Sequence, residues 1–172
     1  MGTNPALSTP TDLGTAAALA ISFVLNALLA DVYTLHVKNM NFVWHMSGPH
    51  FRDYRAMFLE HASQLLCSTN SIGERVRAIG ASTVHSVGDI ARRQRLQDND
   101  ADYVAPSAML AELQSDNQQL AAYLRETHDL CEGYGDVASA HLIETWVDEA
   151  ERRIWQLFEA MRDCEQQGEG SP

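Results

Sequence analysis

Few residues in this chain have the types and spacing to bind a metal or move a proton. His141 is followed by Glu144 three residues on and by Asp148 seven residues on, which in a helix sets the three along one side. Glu60 and His61 are adjacent and so point in different directions on a helix. Imidazole combined with carboxylate suits first-row transition cations. A complete di-iron set in a helical bundle needs a Glu from each of two helices and a Glu-x-x-His from each of the other two, and neither pair supplies it. A solvated acidic helix face is the ordinary reading of His141 and Glu144, and more so of Glu60 and His61.

Other constellations fail on spacing. Asp98, Asp100 and Asp102 open like a calcium loop, but Tyr103 stands where a glycine must turn the chain and Met109 where a bidentate glutamate belongs. No Gly-rich phosphate loop, nucleophile elbow or zinc spacing is present. His45, His50, His85 and His128 have no ligand-spaced partners, and hydrogen-bonded histidines are expected there. Cys67, Cys131 and Cys164 are odd in number and form no C-x-x-C, which points to idle thiols rather than a disulfide framework.

The elements that must position these groups are helical. A helix is predicted over 12–44, ended by Gly48-Pro49, with Leu19, Phe23, Asn26, Ala27, Ala30, Tyr33 and Val37 at helical spacing. A second is predicted over 50–79 and closed by Gly80. Its stripe of Phe51, Phe58, Ala62, Leu65, Thr69, Ile72, Val76 and Ile79 should face the core. Beside that stripe runs another, Arg55, Ala56, Leu59, Ser63, Leu66, Asn70 and Glu74, weakly polar except at its ends. Two adjacent apolar faces call for a second partner, most simply another copy of the chain.

Residues 81–105 make a long crossover with a short helix expected over 87–96. The third long helix opens at Pro106-Ser107, turns Leu110, Leu113, Leu120, Leu124 and Cys131 inward, and stops at 133–135. The fourth, over 136–163, has Ile143, Trp146, Val147, Ala150, Ile154 and Phe158 on its inner side. The fold class is therefore all-α, a ferritin-like four-helix bundle over 12–166 with a short helix in the crossover and flexible tails at 1–11 and 167–172.

The net charge of −11 repels nucleic acid and anionic membranes, and its basic residues are one lysine, Lys38, and scattered arginines. Neither tail carries a lysine or arginine. The longest apolar run, 16–30, is too short to span a bilayer and lacks the start of a secretion signal, so a cytoplasmic chain is expected.

The run Asn41-Phe42-Val43-Trp44-His45-Met46-Ser47-Gly48-Pro49-His50-Phe51-Arg52-Asp53-Tyr54, with Glu74-Arg75-Val76-Arg77-Ala78-Ile79-Gly80 and LIETWVDEAERRIW downstream, resembles the Dps family, the DNA-binding proteins from starved cells. The similarity covers nearly all of the chain outside the tails. It implies a hollow twelve-subunit shell that oxidises ferrous iron with hydrogen peroxide, stores the mineral and protects DNA. The family's ferroxidase centre lies between two subunits. Its positions here hold Val43, Arg55, Leu59, Asn70 and Glu74, of which only Glu74 is a strong ligand type.

Valine and leucine cannot bind iron, and arginine sets a fixed positive charge where a cation should go. The resemblance thus implies a degenerate centre, with Glu74 facing a partner's Arg55 as an ion pair. Iron binding would be relocated: to His36, two turns before Val43 on the same side of the first helix, or to Asp136, His141 and Glu144, where the family's shells place acidic pores. A catalytically silent structural shell is the alternative. DNA binding is expected to be weak, given the charge.

Overall fold

The structure, a computed structural model, describes residues 9–168, with side chains described over 9–162. Five helices follow one another: α1 Thr15–His45, α2 Phe51–Ala78, α3 Val87–Arg93, α4 Pro106–Gly133 and α5 Val137–Gly168. There are no strands among the described residues. α1 packs on α2 and α4 on α5 as two hairpins, and contacts of α1 with α4 and of α2 with α5 close the four-helix bundle. Most of the predicted tails lie outside the described residues, although Thr9 runs beside Gly80 and Thr11 accepts a hydrogen bond from the Leu13 amide. α5 stays helical to Gly168, past the end expected at 163.

Two glycines set the turns that aim the helices. Gly80 closes α2 at φ 85°, where an added Cβ would also meet the Thr9 carbonyl at 3.0 Å. Gly135 turns α4 into α5 at φ 73°. Asp136 then starts α5, its Oδ1 accepting from the Ser139 amide at 3.1 Å and its Oδ2 from the Ser139 hydroxyl at 2.5 Å.

The core contains Phe58, Leu65, Ile72, Leu110, Leu113, Leu120, Leu124, Ile143 and Ala150, as the helical spacing predicts, together with Phe42. Three expectations require correction. Phe51 and Phe158 are exposed, and Leu157 takes the buried place on α5, a shift of one residue that turns the helix by about 100°. On α1, Leu19, Phe23 and Val37 of the stripe first read there are exposed, although its Asn26 and Ala30 are buried, and Ile21, Leu25, Leu28, Val32 and Leu35 form the inner side of the helix. Length also does not bar α1 from a membrane, because the helix extends over 31 residues. Its buried Asn26, Asp31, Thr34, Lys38 and Asn39 make hydrogen bonds inside the protein, which fits a bundle helix.

The crossover is anchored by Asp31. One carboxylate oxygen accepts the Arg95 amide at 2.6 Å and the Leu96 amide at 3.2 Å, while the other takes the Arg95 guanidinium at 2.6 and 2.8 Å. The same guanidinium lies over the Tyr123 ring at 3.7 Å, joining α1, the crossover and α4.

Candidate functional site

The second stripe of α2 is open. Arg55, Ala56, Leu59, Ser63, Leu66, Asn70 and Glu74 are all exposed, alongside Val37 and Trp44 of α1. Between the two helices lies an apolar cleft of about 390 Å³ lined by His36, Val37, Met40, Trp44, Ala62, Ser63 and Leu66. His36 Nδ1 is 2.9 Å from the Ala62 carbonyl. A carbonyl only accepts, so Nδ1 carries a hydrogen and donates it to Ala62. No carboxylate lines that cleft.

Glu74 lines a different cleft, of about 500 Å³, with Tyr33, Asn70, Thr83 and His85 among its walls. Within one chain the fold therefore does not bring His36 and Glu74 to one cleft. Arg55 and Glu74 lie about 28 Å apart along α2, at ~1.5 Å rise per residue, and so can meet only across an interface. Val43 faces inward and is part of the core, unlike the four exposed α2 positions.

Among the described residues the bundle interior offers no alternative di-metal centre. Where inward carboxylates would be needed, the polar side chains include buried His61, Asn117 and Arg153, with Gln64 and Gln156 beside them. Arg153 Nε donates to Asn117 Oδ1 at 2.7 Å. Burial lowers this guanidinium to about 10, against the opposing charge of Glu149. His61 Nε2 is 2.7 Å from Gln156 Oε1, and its Nδ1 has no partner. Burial holds the imidazole below its usual value; the Gln156 hydrogen bond opposes this and the Arg153 charge adds to it. The part of the interior around Arg153, lined by amides, an imidazole and a guanidinium, repels a divalent cation, and the buried carboxylates of Asp31 and Asp116 are paired with Arg95 and Lys38.

The remaining candidates lie at the α4–α5 end. Asp136, read from the sequence as a pore ligand, is buried and committed: besides Ser139 it binds the Arg75 guanidinium at 2.5 Å, tying α2 to the start of α5. Asp148 pairs with Arg152 at 2.7 Å. His141 and Glu144 are exposed, with Nδ1 to Oε2 at 3.5 Å.

The sequence reading of His128 as partnerless is corrected here. Its Nδ1 lies 3.6 Å from Asp129 and 4.0 Å from Glu132, and its Nε2 lies 3.6 Å from Glu144. The Glu132 contact is an i, i+4 pair that the spacing contains; the Glu144 contact depends on the hairpin. Of the thiols, Cys67 is exposed, and Cys131 is buried, which raises it to about 11.

Comparison with known proteins follows the same lines. A ferritin-like domain model matches residues 24–166. A low temperature-induced protein of Nostoc sp. is 30% identical over 135 residues, covering 78% of this chain and 75% of the relative. The DNA protection during starvation protein of Brevibacillus brevis is 23% identical over 137 residues, covering 80% of this chain and 91% of that protein. Among solved structures, DpsC from Streptomyces coelicolor superposes with a TM-score of 0.86 at 21% identity, over 89% of this chain and 90% of the other.

Proposed function

The chain belongs to the Dps family of ferritin-like proteins, and from that premise we propose that it forms a closed homo-oligomeric shell, a dodecamer, that binds and stores iron and limits oxidative damage in the cytoplasm. Ferrous iron is its cargo. In this reading the ferroxidase centre at the dimer interface is degenerate. The observation that carries it is the open α2 face, where Arg55, Leu59 and Asn70 stand exposed with Glu74 while Val43 is turned into the core. One carboxylate facing a partner's guanidinium forms an ion pair before it forms an iron site.

Iron contact falls instead to groups clear of that pair, with the exposed His141 and Glu144 at the start of α5 and the half-buried His36 in the cleft between α1 and α2 as the available donors. Asp136 is excluded from this set, because its oxygens hold Arg75 and Ser139.

Ferrous oxidation by hydrogen peroxide, followed by ferric absorbance, tests the reading. Glu74→Gln is expected to oxidise and store iron within about twofold of the wild type. Loss of oxidation in that variant overturns a degenerate centre, and oxidation no faster than buffer for both proteins favours a silent shell. The name of the Brevibacillus relative refers to DNA protection. With a net charge of −11, this chain is expected to leave plasmid unretarded in a gel at moderate salt, shielding DNA by removing iron rather than by binding it.

A further inference from the structure

We infer that the bundle interior binds one ordered water molecule between Arg153, Glu149 and Ser68, and that this water joins a buried guanidinium to its carboxylate and ties both to α2. The site lies inside a single bundle and does not rest on the iron reading above.

Arg153 is only 2% exposed, and a guanidinium that deep ordinarily has a carboxylate against it. Here Nε donates to Asn117 Oδ1 at 2.7 Å and Nη1 reaches Gln64 Oε1 at 3.5 Å, both neutral amide oxygens. The side chain has five N–H groups to place. Among the described residues Nη2 has no acceptor, and no carboxylate forms an ion pair with this guanidinium.

Glu149 is the complementary group. It stands one turn before Arg153 on α5, in the Glu-before-Arg i, i+4 order that favours pairing. Its charge supports the protonated guanidinium, yet the two do not touch. The adjacent pair of the same spacing, Asp148 and Arg152, is closed at 2.7 Å. What Arg153 and Glu149 share instead is a cavity of about 10 Å³, whose third polar wall is Ser68 of α2. A space of that size admits the centre of a single water molecule and nothing larger, and its polar lining is what separates a wet cavity from a dry one.

Helix register brings the three groups to one level. His61 bonds Gln156 and Gln64 bonds Arg153, so each step forward on α2 matches a step back on α5, and Ser68 falls opposite Glu149. Side chains on a helix lean toward its N-terminus, which carries the Arg153 guanidinium toward that same level. The hydrogens balance as well. Ser68 Oγ donates to the Leu65 carbonyl at 2.8 Å and so has only lone pairs left to offer. Water accepts from an Arg153 N–H and donates one hydrogen to Ser68 Oγ and the other to the Glu149 carboxylate. Three hydrogen bonds are the usual complement of a buried water.

The test uses crystals of the full-length assembled protein, grown with bromide in place of chloride and diffracting well enough to show ordered solvent. A water peak at about 2.7–3.2 Å from Arg153, Glu149 and Ser68 is expected. Direct contact of Arg153 with Glu149 and no density between them, or a bromide anomalous peak at that position, overturns the site. Thermal unfolding gives a second readout. Ser68→Ala and Glu149→Gln, both at half-buried positions, are each expected to lower Tm by about 2–4 °C, and the double variant by no more than the larger of the two. Ser68 and Glu149 make no hydrogen bond to each other, so the shared loss runs through the water. Losses that simply add overturn it.

Discussion

Lys38 and Asp116 are paired inside the protein, Nζ to Oδ2 at 2.7 Å, with side chains 3% and 7% exposed. Glu112 takes a second contact from the same amine at 2.8 Å and is itself held by the Asn99 amide at 2.7 Å. The chain's single lysine is thus an internal strut between α1 and α4.

Burial alone would favour the neutral amine, but the hydrogen bonds and charges of Asp116 and Glu112 outweigh it, and the amine is held above its usual value of 10.5. Lys38→Met leaves a buried carboxylate without its cation and is expected to cost about 3–5 kcal/mol in denaturant unfolding. A raised folded value means that the stabilisation is complete below pH 10.5 and is lost as pH rises through the folded value. The gap between wild type and variant should therefore narrow in strongly alkaline buffer. A gap that stays constant there contradicts the assignment.

His61 is expected to give the protein an acid-sensitive term. Its folded value is lowered from 6.5, chiefly by burial, so the unfolded chain takes up a proton that the folded chain resists. The stability it confers is present above pH 6.5 and is lost as pH falls through the folded value. His61→Gln should flatten the decline of the melting midpoint on the acid side of pH 6.5 while lowering stability at neutral pH by about 1–3 kcal/mol, the cost of a lost buried hydrogen-bond partner. An unchanged acid slope would show that other groups carry it.

Leu66 lies in the cleft beside Val37 and Trp44, on the face proposed to meet a second copy. It is 47% exposed in the single chain, so Leu66→Arg is expected to leave the bundle folded and helical while placing a charge in the interface. Sedimentation or light scattering should then show smaller species than the wild-type shell. An intact shell would place the subunit contact elsewhere.

How much of this could be read from the chain varies from residue to residue. Phe58, Leu65, Ile72 and Leu113 were readable because core positions repeat at the helical period and tolerate only apolar side chains. Phe158 misled because Leu157 beside it is equally apolar, and which of the two points inward depends on helix rotation within the bundle. Asp31 gave no signal, since its partners at 95 and 96 are brought near only by the crossover. The second stripe on α2 was fully readable, including the poverty of its ligands, because side-chain chemistry at a fixed spacing is written in the chain.

The sequence by itself determined the helices, their order, the weakly polar second face of α2 and the scarcity of metal-binding side chains along it. All of these follow from local period, turn residues and donor chemistry. Only the tertiary structure decided that Asp136 is committed to Arg75, that Arg153 is buried against Asn117 inside the bundle, and that His128 lies 3.6 Å from Glu144. Each of those facts joins groups from different helices, and such distances are set by how helices pack rather than by spacing along any one of them.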